Sequence, residues 1–251
     1  MPIPFLQRLA GRERSRRRNR QLGGVLAFVA GAINAGGFLA VQRYTSHMSG
    51  IVSAMADDLA VGSIALALAG LASLLAFVAG AATTTVLISW ARRRELQSKY
   101  ALALLLEAAL LLLFGVAGAN LHNFAQLLVP STVLLLCFIM GLQNAIVTKI
   151  SHAEIRTTHM TGVITDLGIE LGRLLYWNRS ADTPQRPAVV ANRDKLAMLS
   201  TLLALFFGGG VIGALMFKHL GYSATVPFAI GLALLAAPAV WLDVQAHRHH
   251  A

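Results

Sequence analysis

The chain has 251 residues, 56% of them hydrophobic and 13% charged, with a mean hydropathy of +0.64, a composition too apolar for an ordinary soluble domain of this length. The formal charge of +10 comes from 21 Lys and Arg against 11 Asp and Glu. A single cysteine, Cys137, excludes an internal disulfide and a Cys-based metal centre.

Residues 1–21 form a basic arm, with Arg8, Arg12, Arg14, Arg16, Arg17, Arg18 and Arg20. Such an arm holds its end of a membrane protein in the cytoplasm and can meet anionic lipid head groups. Nucleic acid is not needed to explain it. The first apolar run is too long for the core of a cleavable signal and reads as a retained span.

A spanning helix needs about 20 mostly apolar residues. The first repeat, 22–120, supplies three: Leu22 to Val41, Ile64 to Trp90 and Ala101 to Ala119. The second repeat, 121–245, supplies Leu128 to Thr148, Met198 to Phe217 and Val226 to Leu242, with a polar cytoplasmic loop over 178–195. A His-rich tail, 246–251, follows and reads as a disordered end. With both termini in the cytoplasm, 19 of the 21 cations lie inside and Arg43 and Lys218 outside, as the positive-inside rule demands.

Between first and second spans of each half lies a recurring hexapeptide. Thr45-Ser46-His47-Met48-Ser49-Gly50 returns as Thr157-Thr158-His159-Met160-Thr161-Gly162. At the same offset Asp58 matches Glu170. Shifted by two, Gly31 matches Gly141 and Asn34 matches Asn144. Leu74-Leu75-Ala76 and Gly80 match Leu202-Leu203-Ala204 and Gly208 at a larger offset, the difference absorbed by the polar loop. Three spans per half is an odd number, so the halves lie in opposite orientation. The expected fold is all-α transmembrane: six spanning helices as an inverted 3+3 repeat with two short motif helices. Inverted halves are an architecture of secondary transporters, and the inference is one of analogy.

The blocks GAINAGGFLAVQRYTSHMSGIVSAMADDLA (Gly31 to Ala60) and GLQNAIVTKISHAEIRTTHMTGVITDLGIELGR (Gly141 to Arg173) resemble the YoaK family of bacterial multi-pass inner-membrane proteins, over about residues 20 to 245. The resemblance implies a polytopic membrane protein and supplies no substrate and no catalytic residues.

Thr45/Ser46 and Thr157/Thr158 are placed to cap the free N–H groups of a helix start. Continued as a helix, His47, Gly50 or Ile51, Ala54 and Asp58 share one face, as do His159, Gly162, Asp166 and Glu170. Two readings follow. The stripes face the interior and converge with Asn34, Gln143 and Asn144 on a polar site, where helix N-termini suit an anionic group and His with carboxylate suits proton coupling. Alternatively each motif helix lies at a membrane surface with its polar face hydrated. Glu107 sits about two turns inside the third span, where an ionised carboxylate costs about 2.5–3.5 kcal/mol. It is either a coupling residue or a group that packs spans together.

The glycines Gly36, Gly37, Gly208, Gly209, Gly210 and Gly213 suit close helix packing. No P-loop GK[ST], HExxH or GxSxG occurs in a suitable context, so no enzyme, no cofactor and no metal site is expected. The expected function is a small secondary transporter or exchanger of a small ion or metabolite, with a pathway through Asn34, Thr45, His47, Asp58, Glu107, Asn144, Thr157, His159, Asp166 and Glu170. A channel or passive permease, and a non-transporting scaffold or sensor, are the alternatives. The partners are the lipid bilayer and the transported solute. Six short spans enclose little volume, which leaves room for a homodimer that no residue demands.

Overall fold

A computed structural model describes residues 16–41, 44–96, 98–120, 125–150, 160–178 and 188–248. The apolar runs are helices: α1 (Arg16–Val41), α2 (Met48–Ala60), α3 (Ile64–Arg93), α4 (Ala101–Ala119), α5 (Ala125–Ile150), α6 (Met160–Leu175), α7 (Arg193–Leu220) and α8 (Thr225–Arg248), the last two joined by a 3-10 turn over Gly221–Ala224. No strand occurs among the described residues. Five stretches are long and apolar enough to cross a membrane, and the last of them, Arg193–Gln245, takes in α7, the turn and most of α8.

The helix ends follow from local chemistry. Asn192 caps α7, its side chain accepting from the Lys195 N–H at 2.9 Å, with Asp194 in the first turn and Lys218 and His219 in the last, all favourable to the helix dipole. Gly62 at φ 77° makes the tight turn that reverses the chain between α2 and α3, a backbone region open to glycine at little cost. Charged Arg92 and Arg93 close α3.

Helices distant in sequence form the tightest pairs. α1 lies along α7, α3 along α5, and α4 along α8. The first pair is parallel, since Gly24 meets Leu205 and Gly36 meets Phe217. The second is parallel too: Ser73 hydrogen-bonds Cys137, and Thr84 Oγ1 donates to Leu142 O at 2.9 Å. α4 and α8 run antiparallel, with Ser98 N donating to Asp243 Oδ2 at 2.9 Å at one end and the rings of Phe114 and Tyr222 meeting edge to face at 5.8 Å at the other.

Two of these seams are built alike. A Cβ on Gly31 would collide with the Phe206 carbonyl, and one on Gly209 with that of Phe28; a Cβ on Gly141 would collide with the Phe77 carbonyl, and one on Gly80 with that of Phe138. Small residues let backbones approach closely where lipid offers no hydrophobic drive for association. The expected match of Gly80 with Gly208 is corrected by one residue: Gly209 occupies the equivalent place, while a Cβ on Gly208 meets open space. Spacing from the polar loop set the alignment in sequence, and backbone contact sets it in the fold.

The core runs through α1, α4 and α5, where Leu26, Leu104, Leu136, Met140 and Ile146 are fully buried. α3 and α7 turn Leu66, Leu68, Leu75, Phe207 and Ile212 outward, which is without penalty against hydrocarbon. Trp90, Trp177 and Trp241 are all exposed, near the C-terminal ends of α3, α6 and α8, the kind of position that interfacial tryptophans take.

Candidate functional site

The first motif follows directly from the end of α1. Tyr44 stacks on Phe38 at 4.4 Å between ring centroids, and Thr45, next in the chain, is 2% exposed. Ser46 Oγ then donates to Asn34 Oδ1 at 2.7 Å. That bond corrects the capping expectation: His47 is the N-cap residue of α2 and makes no side-chain cap. The Ser46 hydroxyl is spent on a tertiary contact with α1, one that fixes the motif to Asn34. Thr157 and His159 lie outside the described residues.

His47 is exposed. Its ring fills the space over Gly50, where a Cβ would collide with it, and its Nε2 is 3.3 Å from Ser49 Oγ. The rest of the expected stripe lies along a cavity, with Ile51 and Asp58 partly buried and Ala54 exposed. Ile51, Ala54 and Asp58 border a cavity of about 60 Å³, closed by Tyr44 and Thr45, with Gly70 and Ser73 from α3 and Val133 and Cys137 from α5 on the far walls. The motif helix therefore covers a seam between α3 and α5, although no residue of α2 itself is buried. Sequence reasoning missed Ser73 and Cys137. A hydroxyl and the lone thiol inside apolar runs were the available signal.

The second motif helix treats its carboxylates differently. Glu170, 1% exposed, accepts from Arg173 Nη1 at 2.9 Å and from the Asn192 backbone N–H at 2.8 Å. Lys195 Nζ stands 3.3 Å from Asp166 Oδ2 and 3.9 Å from Glu170 Oε1. Asp166 and Glu170 thus fasten α6 to the start of α7 and are neutralised there. Asp58, their counterpart in the first half, has no ion pair among the described residues.

The interior polar groups do not join the cavity. Glu107 is completely buried on the core face of α4, and neither of its oxygens has a hydrogen-bond partner among the described residues. Gln143 Nε2 donates to Leu26 O at 3.2 Å, tying α5 to α1, while its Oε1 and Asn144 Oδ1 have no partner among the described residues. Asn144, with Thr148 and Lys149, borders an open cleft of about 460 Å³ against α3. A larger cleft, about 690 Å³, opens between the N-terminal halves of α1 and α7, with Arg20 and Asp194 among apolar Val25, Phe28 and Leu205. No group of three or more His, Cys, Asp or Glu placed to hold a metal occurs among the described residues.

A family model described as a protein of unknown function (DUF1275) matches residues 22–238, so the chain belongs to that family, and the YoaK proteins are members of it. No curated protein and no solved structure matches the chain.

Proposed function

We propose that this member of the DUF1275 family is a small secondary transporter or exchanger of the bacterial inner membrane, six spans in two inverted halves with both termini in the cytoplasm. The observation that carries the reading is the repeated seam. Gly31 and Gly209 against Phe206 and Phe28 recur as Gly141 and Gly80 against Phe77 and Phe138, and each pair joins the first span of one half to the second span of the other. Both pairs are parallel, as six alternating spans require. In such a frame, alternating access is the exchange of conformation between two equivalent halves.

The clefts support it further. The N-terminal ends of α1 and α7 bound the 690 Å³ opening, while the N-terminal ends of α3 and α5 bound the 60 Å³ cavity under α2. With the halves inverted, these are equivalent places at opposite membrane faces, one wide and one nearly shut. Asn34, Thr45 and Asp58 line or brace the narrow side, Asn144 stands along the second seam, and Glu107 is the proton-coupling candidate between them. No chemical conversion is part of this reading.

Reconstitution into proteoliposomes tests it. Saturable flux of a small ion or metabolite, driven by a second gradient, is the expected result. Unsaturable conductance would replace the transporter by a channel, and the absence of flux across a broad solute panel would favour the scaffold reading.

A further inference from the structure

We propose that the cavity beneath α2 binds a partly dehydrated monovalent cation of sodium size, with the Asp58 carboxylate as its charged ligand and the hydroxyls of Thr45 and Ser73 as neutral ones. The inference deepens the transporter reading and rests on it for the use of the ion, though not for its binding.

Size comes first. Liquid water takes about 30 Å³ per molecule, so a cavity of about 60 Å³ admits an ion with one or two waters and excludes a metabolite. Charge decides next. Among the described residues Asp58 is the one carboxylate on the wall, and no Lys, Arg or His shares it. An anion would meet uncompensated repulsion. A divalent ion would keep a net positive charge beside a single carboxylate, a costly state away from bulk water.

The neutral ligands are prepared for a cation. Thr45 is 2% exposed and lines the cavity, so its hydroxyl is among the oxygens that an ion there would meet. Ser73 Oγ donates its proton to Ala69 O at 2.9 Å, so its oxygen presents lone pairs to the cavity side. Cys137, hydrogen-bonded to Ser73, stands beside them. In the second half the carboxylates already hold Lys195 and Arg173, a covalently attached counterpart of the ion proposed here.

Cys137 is the chain's single cysteine and reports on the cavity without background. The full-length protein in detergent is exposed to methyl methanethiosulfonate in graded NaCl, with choline chloride holding ionic strength constant, and its thermal midpoint is followed in parallel. Sodium is expected to slow thiol modification and raise the midpoint saturably, with potassium weaker. Asp58→Asn is expected to raise the half-saturating sodium concentration by about tenfold or more, and Thr45→Val by about threefold, on the scale of one lost charge-assisted contact. An equal response to choline or potassium, or an unchanged sodium response in both variants, overturns the proposal. Should Asp58→Asn fail to fold, Thr45→Val and Ser73→Ala decide it alone. Sodium binding without flux in vesicles leaves this site standing and removes the transport reading; flux without sodium binding does the reverse.

Discussion

Two glutamates are buried in this protein in opposite circumstances. Glu170 has Arg173, Lys195 and a backbone N–H around it, and Glu107 has no partner for either oxygen among the described residues. Glu170→Gln leaves one acceptor oxygen where there were two, so either the exposed Arg173 or the Asn192 N–H loses its partner. Glu170→Gln is therefore expected to lower stability by about 1–3 kcal/mol, read as a fall in the thermal midpoint in detergent. Glu107→Gln keeps the shape of the carboxyl group and removes its exchangeable proton. Insertion and folding are expected to survive while proton-linked flux in proteoliposomes is abolished; unchanged flux would make Glu107 a packing residue. Sequence marked both residues, but hydropathy cannot tell a paired acid from an unpaired one: Arg173 is on the same helix as Glu170, while Asn192 and Lys195 come from the start of the next helix.

At the scale of helices, the seams depend on absent side chains. Gly31→Ala and Gly209→Ala place a methyl against a backbone carbonyl of the facing helix, and overpacking of this kind costs about 1–3 kcal/mol or more. Gly208→Ala and Gly231→Ala meet open space and are expected to leave the midpoint unchanged or raise it slightly, by up to about 1 kcal/mol, through the gain in helix propensity. The contrast between neighbours 208 and 209 is the sharp form of the test. The positions of the spans were legible in the hydropathy runs, and α4 matches its expected limits of Ala101 and Ala119. Their pairing was not, since a run of Leu and Ala declares that a helix leaves water without declaring what it meets. The motif shows the same limit: Thr45 and Ser46 suited a local cap, and a tertiary bond to Asn34 twelve residues earlier prevailed.

For the whole molecule, packing fixes the relative direction of the helices: α1 runs parallel to α7 and α3 to α5, a relation that the proposed six-span topology requires of first and fifth spans and of second and fourth. Single cysteines at Arg94 and Lys218, in a Cys137→Ser background, are expected to react with an impermeant thiol reagent from opposite faces of the membrane. Labelling of both from one side would remove the six-span topology. The inequality of the two clefts adds an expectation for transport. A reagent reaching Gly24→Cys, in the 690 Å³ opening, is expected to be blocked when a substrate gradient drives the other face open.

The pairing of α1 with α7 also bears on how the chain is made. The face of α1 that carries Gly31 has its partner at Phe206, and at a synthesis rate of about 5–20 residues per second that partner emerges on the order of tens of seconds later. Until then the newborn first half holds an unfilled groove in the bilayer, and so does α3, which waits for α5. Neither half can finish its own interior, so a split gene would yield two fragments that reach the membrane separately and become a folded protein only on meeting.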